Sequence, residues 1–115
     1  MKKLNWITIY ALVLAIFFAI GGTMNLAASE ATLADYTRWG YPTWFPYLTG
    51  TLEWTAAILL AFSATRLIGS ALAGSVMIAA AGTLVLNGEF THSIAPLTVL
   101  ILVGINAFVH FKREN

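Results

Sequence analysis

Charged residues occur at wide intervals along the chain and leave long apolar stretches between them. Three stretches contain no Asp, Glu, Lys or Arg: 4–29, 67–88 and 90–111. Each exceeds the roughly 20 residues that a helix needs to cross a bilayer. A fourth stretch, residues 44–64, is long enough to cross as well, and its one charged residue is Glu53.

These apolar stretches are predicted to be helices, because lipid offers no partner for unpaired backbone groups. We place transmembrane helices at about residues 4–28, 44–64, 67–87 and 94–111. Pro46 and Pro96 would lie in first turns, where no intrahelical N–H is needed, with Thr43 and Ser93 as N-caps. The sequence therefore predicts an all-α membrane protein, a four-transmembrane-helix bundle that forms one domain over residues 1–115.

The segment between spans one and two, "SEATLADYTRWGYP", predicts a short amphipathic helix on the outer face of the membrane. Ser29 is placed to cap this helix, Gly40 to follow its last turn, and Pro42 to prevent it from continuing. One side of the helix would carry Leu33, Tyr36 and Trp39. A solvated loop is the alternative interpretation.

Basic residues indicate one orientation in the membrane. On one side of the predicted topology lie Lys2, Lys3, Arg66, Lys112 and Arg113, and only Arg38 falls on the other. The positive-inside rule then places both termini in the cytoplasm. The expected location is the plasma (inner) membrane. The first apolar segment could also be a signal peptide, but its apolar run is longer than a usual h-region, so we expect a retained span.

Composition narrows the classes of function. Hydrophobic residues make up 59% of the 115 residues and charged residues 10%, with a mean hydropathy of +0.80, so the bilayer is the expected surrounding of most of the chain. The absence of cysteine excludes disulfides and thiol-based redox or zinc sites. His92 and His110 lie at opposite ends of the last apolar segment, so no metal site is predicted. The basic residues form no stripe that would bind nucleic acid.

Glu53 is the main candidate for a functional residue. It lies about 15 Å along its helix at 1.5 Å per residue, near the membrane midplane, where charge costs about 2.5–3.5 kcal/mol. No cation can reach it from its own helix, so its partners must come from other spans. The predicted polar site consists of Glu53, Asn25, Asn106, Ser75 and Thr49, with Tyr41 and Trp44 toward its outer end.

Three interpretations of Glu53 stay open. A neutral carboxyl could tie helices together by hydrogen bonds, with Asn25 or Asn106 as the expected partner. The same carboxyl could instead serve a ligand or a proton, since ionisable residues inside membranes often have a function. A shifted span register would place Glu53 nearer an interface. We expect Glu53 to be mostly neutral, because desolvation disfavours the charge and neutral donors compensate less than a cation.

The chain resembles the DoxX-like family of small four-span membrane proteins. The resemblance covers most of the chain and rests on "GGTMNL", "WGYPTWFPYLTGTLEWTAAILL" and the small-residue segment ending in "VMIAAAG". The most specific part is Gly-Tyr-Pro followed by Gly-x-x-Glu, which ends at Glu53. Relatives commonly have Lys where this chain has Asn25, and often a His late in span three, where this chain has Thr83. Losing that Lys removes a natural counter-ion for Glu53.

The resemblance implies a range of activities. Some relatives are quinone-linked oxidoreductase subunits, some associate with redox-stress enzymes, and animal relatives assist receptor assembly. Our leading hypothesis is a non-enzymatic accessory protein that binds a membrane or redox protein partner, or another copy of itself, and holds a lipid or quinone-like molecule near Glu53. The alternatives are a quinone-linked oxidoreductase subunit and a small proton-coupled exporter. One carboxylate supplies too few roles for a catalytic site of its own.

Overall fold

The computed structural model describes residues 5–114, with side chains as far as residue 112, and this part of the chain is helical without a strand. The five α-helices are α1 (Trp6–Ala27), α2 (Glu30–Arg38), α3 (Phe45–Ala61), α4 (Arg66–Leu86) and α5 (Phe90–Glu114). A single 3₁₀ turn, Ser63–Thr65, joins α3 to α4. Lys2, Lys3 and the side chain of Arg113, which contribute to the predicted orientation, lie outside the described residues.

The short helix predicted between the first two spans is present as α2. The hydroxyl of Ser29 accepts a hydrogen bond from the backbone N–H of Thr32 at 3.3 Å, which is the N-cap interaction that the sequence predicts. At the other end Gly40 has a φ of 89°, a left-handed conformation in which glycine is favoured. These two residues set the limits of α2 locally, before any tertiary contact is made.

Two helix starts differ from the prediction. α5 begins at Phe90, not after Ser93, and Pro96 lies inside the helix. The hydroxyl of Ser93 donates to the carbonyl of Phe90 at 2.6 Å, so Ser93 bonds within the helix and does not cap it. The left-handed Gly88, with a φ of 74°, already turns the chain after α4, and the next helix starts two residues later. At α3 the N-cap is Trp44 without a side-chain bond, and Thr43 is not the cap.

α1 and α3 pack closely because glycine lies at their crossing point. A Cβ atom on Gly50 would lie 2.8 Å from the carbonyl oxygen of Gly22, and a Cβ on Gly22 would lie 3.0 Å from the carbonyl oxygen of Gly50. Such small residues let helix backbones approach each other inside lipid, where apolar burial alone gives no drive for association. α4 packs against both α3 and α5, while α5 packs mainly against α4.

Apolar side chains lie on the outside of the bundle as well as in its core. Exposed ones include Ile9, Val13, Ile16 and Ile20 along one helix, whereas Arg66, Ser70 and Asn106 are buried. This distribution fits a protein surrounded by lipid, because a soluble protein rarely exposes so extensive an apolar surface.

Among the described residues, three helical segments are long and apolar enough to cross a membrane: Trp6–Ala27, Ser63–Leu86 and Phe90–Lys112. α3 has 17 residues and is shorter than these three. The chain is therefore an all-helical, small membrane protein in which three of the four predicted spans meet the length requirement on their own.

Buried Arg66 binds the carbonyl groups at the C-terminal end of α3. Its Nε donates to the carbonyl of Leu60 at 2.7 Å, and its terminal guanidinium nitrogen donates to the carbonyl of Ala61 at 3.0 Å. The last carbonyls of a helix have no intrahelical partner and carry partial negative charge, so a cation stabilises them. The residue that starts α4 thereby also ends α3, and the two helices are held as an antiparallel pair.

Candidate functional site

A cavity of about 490 Å³ lies among α1, α2, α3 and α4. Its wall is mostly apolar, with Leu52, Leu72 and Met77 among the lining residues. Only two acidic residues line it, Asp35 on α2 and Glu53 on α3, and no Lys, Arg or His among the described residues does so. The cavity lies within the size range of about 300–1,000 Å³ that is typical of small-molecule sites.

Glu53 is 6% exposed and contacts α1 at two residues. The side-chain nitrogen of Asn25, Nδ2, donates to Glu53 Oε1 at 2.6 Å, so the predicted hydrogen bond between these residues is present. Gly21 makes room for the carboxyl, because a Cβ atom there would lie only 2.9 Å from Glu53 Oε2. Within residues 5–112, Oε2 has no hydrogen-bond partner.

Asn25 connects Glu53 to the outer helix α2. Its Nδ2 also donates to the carbonyl of Gly21 at 3.2 Å, and its Oδ1 accepts from the hydroxyl of Tyr36 at 2.9 Å. All the hydrogen-bonding groups of the Asn25 amide are thereby used. The result is a continuous chain of hydrogen bonds from Tyr36 through Asn25 to Glu53.

Aromatic rings cover the outer end of the cavity. The ring of Tyr36 lies 6.0 Å from those of Tyr41 and Phe45 and 5.4 Å from that of Trp39, measured between centroids. Tyr41 and Phe45 stack at 4.3 Å with an interplanar angle of 7°. Burial in this cluster raises the pKa of the Tyr36 phenol, so its hydroxyl stays protonated and remains a hydrogen-bond donor.

An ion-pair cluster fastens α2 over the cavity. Nε and one terminal nitrogen of Arg38 each lie 3.1 Å from an oxygen of Glu89, in the loop between α4 and α5, and the indole nitrogen of Trp39 donates to Glu89 at 2.9 Å. Arg38 also pairs with Asp35 at 2.9 Å. The hydrogen bonds from Arg38, and next from Trp39, lower the pKa of Glu89 to about 2. We call Arg38, Trp39 and Glu89 the outer clasp.

The other hydroxyl groups of the cavity wall bond mainly within the protein. Thr49 donates to the carbonyl of Phe45 at 3.3 Å, and Ser75 donates to the carbonyl of Ala71 at 2.8 Å. The hydroxyl oxygens of Tyr41 and Thr83 lie 2.6 Å apart and share one hydrogen bond. Glu53 is therefore the buried carboxyl of the wall, and it keeps one oxygen without a partner among the described residues.

The structure brings five of the seven predicted site residues to this cavity: Glu53, Asn25, Ser75, Thr49 and Tyr41. Asn106 is not among them; it is fully buried and donates to the hydroxyl of Ser70 at 2.9 Å. Asn106 was expected to reach Glu53 because of its predicted depth, but α5 packs mainly on α4, so its side chain meets α4 instead of Glu53. Trp44 is 59% exposed and does not line the cavity.

Tyr36, Gly21 and Thr83 belong to the site but were not predicted as site residues. Gly21 precedes Asn25 by four residues, one helical turn, and that spacing was a usable signal. Tyr36 lies outside the predicted spans, and only the fold of α2 back over the bundle brings its hydroxyl to Asn25. Thr83 is the neighbour of Tyr41 through a contact between distant segments, which no local pattern indicates.

Comparison with known proteins assigns the chain to a family. The model of the DoxX-like family matches residues 9–105, which include the whole of the cavity wall. Neither a curated protein nor a solved structure matches the chain. The family match agrees with the resemblance carried by "WGYP" and the Gly-x-x-Glu that ends at Glu53. On this evidence the chain belongs to the DoxX-like family.

Proposed function

We propose that the protein spans the cell (inner) membrane four times, as one domain with both termini in the cytoplasm. At 17 residues α3 lies at the lower limit of the roughly 17–25 residues of spanning helices. It also packs between α1 and α4, both of which have spanning length. Arg66 and Lys112 lie at one end of the bundle and Arg38 at the other, as the positive-inside rule requires for cytoplasmic termini.

Introduced cysteines test this topology, because the native chain has none. Ser63→Cys, in the turn between α3 and α4, should be protected from a membrane-impermeant thiol reagent in intact cells. Thr43→Cys, before α3, should react with the same reagent. Reaction of Ser63→Cys from outside, with Thr43→Cys protected, would reverse the proposed orientation, and equal reactivity of both would remove α3 as a span.

The function that the geometry supports best is a non-enzymatic accessory protein that binds a lipid or quinone-like molecule in the cavity beside Glu53. The observation that carries this proposal is the cavity itself, an apolar space whose wall contains the buried carboxyl of Glu53, one oxygen of which has no partner among the described residues. Apolar walls with a few placed polar groups are typical of ligand sites. A bound molecule would let the protein support a membrane or redox protein partner, or a second copy of itself.

Native mass spectrometry of the protein released from lipid nanodiscs tests this proposal. The wild-type protein should retain a small apolar molecule. Ala80→Phe should lose it, because Ala80 lines the cavity and the added ring would fill part of the space. Ala71→Phe is the matched control, since Ala71 is an exposed residue of the same helix and does not line the cavity.

Equal retention by the two variants would show that any bound molecule lies on the outer surface, and would overturn the proposal. Loss of folded protein in both variants would call for a smaller change, Ala80→Val against Ala71→Val. The same spectra give the stoichiometry, so a second copy or a partner protein would appear as a separate mass.

A further inference from the structure

The orientation of the Asn25 amide can be assigned from its neighbours. The carbonyl of Gly21 can only accept a hydrogen bond, so the atom of Asn25 that lies 3.2 Å from it is the nitrogen Nδ2. The second hydrogen of Nδ2 then points to Glu53 Oε1 at 2.6 Å. Asn25 Oδ1 is left to accept from Tyr36. Each bond in this chain therefore has one direction.

This direction determines where a proton on Glu53 resides. Oε1 accepts from Asn25, so a hydrogen on Oε1 would oppose the N–H that points at it. A neutral Glu53 therefore carries its hydrogen on Oε2, which has no partner within residues 5–112. Burial in a wall without a cation favours the neutral form, since an isolated charge in an apolar medium is costly. The neutral carboxyl is thus a hydrogen-bond donor at the cavity wall.

Few other donors are available in the cavity. The hydroxyls of Thr49 and Ser75 donate to backbone carbonyls of their own helices, and the hydroxyl of Tyr36 donates to Asn25. One hydrogen remains in the pair formed by Tyr41 and Thr83, and one on the hydroxyl of Thr32, which accepts from Ser29. A ligand that approaches Glu53 therefore meets a donor, and it needs an acceptor of its own to form a hydrogen bond there.

We propose, on the basis of the function proposed above, that the cavity selects apolar molecules with a carbonyl group, and that Glu53 Oε2–H donates a hydrogen bond to the carbonyl oxygen. Ketones, quinones and esters belong to this class. Asn25 is a positioning residue in this arrangement, because it holds the acceptor oxygen of the carboxyl toward itself and leaves the donor for the ligand.

The test uses two probes of matched chain length, methyl nonyl ketone and undecane, added in equal amounts to the protein in detergent micelles. Native mass spectrometry reports how much of each is bound. The ketone should be preferred roughly fivefold to tenfold, as expected for one hydrogen bond formed away from water. In infrared spectra of ketone that is isotope-labelled at the carbonyl carbon, the bound carbonyl band should shift to lower frequency.

Three variants separate the donor from the cavity. Glu53→Gln should keep the preference, because Asn25 holds the new amide oxygen and turns the NH₂ donor to the ligand. Glu53→Leu should bind both probes equally and remove the carbonyl shift. Asn25→Leu should reduce the preference, since either oxygen of Glu53 could then carry the hydrogen. Tyr41→Phe is the control for the second donor and should leave the preference unchanged.

The outcomes distinguish this inference from the proposed function. If neither probe binds to folded wild-type protein, the cavity is not a ligand site and the proposed function fails. If both bind equally and the carbonyl band does not move, the cavity function stands and the donor assignment is wrong. Loss of the ketone preference in Glu53→Gln would show that the new amide does not turn its NH₂ to the ligand, and would overturn the assigned direction of the hydrogen bond from Asn25. Loss of the ketone preference in Tyr41→Phe alone would show that the donor belongs to the hydroxyl pair of Tyr41 and Thr83, and not to Glu53.

Discussion

Glu53 and Glu89 are two carboxyl groups in contrasting surroundings. Glu53 is buried on α3, and its partner is the neutral amide of Asn25. Glu89 lies in the loop between α4 and α5, and both of its oxygens accept from Arg38. Glu53 lies within a bundle that exposes apolar side chains, whereas Glu89 lies beside polar side chains at the end of the bundle where α2 packs.

The comparison shows how the partner of a carboxyl group sets its chemistry. Arg38 and Trp39 stabilise the charged form of Glu89 and hold α2 in place over the cavity. Asn25 gives Glu53 a hydrogen bond but no opposing charge, so the neutral form stays favourable and one oxygen stays unused. One carboxyl therefore serves as a fastening between segments, and the other is available for a ligand. Four changes test this difference, and they follow from the largest expected effect to the smallest.

Replacing each glutamate with lysine should have opposite effects on the recovery of folded protein. Glu53→Lys places a buried cation near the centre of the bundle, where the direct partner is the neutral amide of Asn25, at a cost of about 2.5–3.5 kcal/mol or more. We expect little monodisperse protein in size-exclusion chromatography after mild extraction. Glu89→Lys is the control and should yield folded protein, because its side chain can reach water. Good recovery of Glu53→Lys would contradict a buried site without an anionic partner.

Removing the partner of each carboxyl should affect Glu53 more than Glu89. Asn25→Leu should lower the free energy of unfolding by about 1–2 kcal/mol, since Glu53 and Tyr36 both lose their partner inside the bundle. Arg38→Gln should have a smaller effect, because water can replace the lost contacts of Glu89. Unfolding of both variants in mixed micelles gives the comparison. A larger loss for Arg38→Gln would mean that the outer clasp, and not the buried bond, contributes more to stability.

Acid and salt should weaken only the outer clasp. Because the pKa of Glu89 in the folded protein is about 2 and its ordinary value is 4.5, the clasp contributes fully to stability above pH 4.5. That contribution is lost as the pH falls through about 2. Carboxyl-carbon chemical shifts in NMR spectra of the protein should report this midpoint, and Arg38→Gln should move it up toward 4.5. High salt should weaken the pair of Arg38 and Glu89, because this pair lies near water. A midpoint that stays near 2 in Arg38→Gln would refute the role of that cation.

The smallest expected effect is that of Glu53→Gln. If Glu53 is neutral, glutamine has a similar shape and removes no charge, so the unfolding midpoint should change little. Infrared spectra in bilayers at pH 7 should show a neutral carboxyl band that disappears in this variant. An ionised band that disappears instead would show a charged Glu53, and a cation or ligand not seen among the described residues would then be required.

Several features of the fold could be predicted because they depend on local sequence. Ser29 and Gly40 mark the ends of α2 through their own hydrogen bonding and backbone freedom, and both act as predicted. Asn25 was one of two expected partners of Glu53, because side chains on antiparallel helices tilt toward each other, and the structure contains this bond. Ser93 and Pro96 misled the placement of α5, because a first-turn proline and a proline inside a lipid-embedded helix look alike in sequence.

The predicted depth of a residue in the membrane was not sufficient to identify the other residues of the site. Asn106 and Asn25 were both expected as partners of Glu53, yet one meets Ser70 and the other meets Glu53. Which face of a helix contacts which neighbour depends on how the helices are arranged in the bundle. Four apolar helices with weak amphipathic patterns do not specify that arrangement through their local sequence. The hydrogen bond from Tyr36 to Asn25 depends likewise on the position of α2 over the bundle, which the local sequence does not specify.

The sequence by itself determined the apolar helices, the short helix between the first two, and an isolated carboxyl in the middle of one of them. These features follow from hydropathy, capping and the cost of charge in lipid, which act over a few turns of helix. Only the tertiary structure decided that Asn25, and not Asn106, occupies one oxygen of Glu53, that Tyr36 completes the chain of hydrogen bonds, and that Gly21 leaves space beside the other oxygen. The physical reason is that a hydrogen bond between helices depends on distances of a few tenths of an ångström, and packing between distant segments sets those distances.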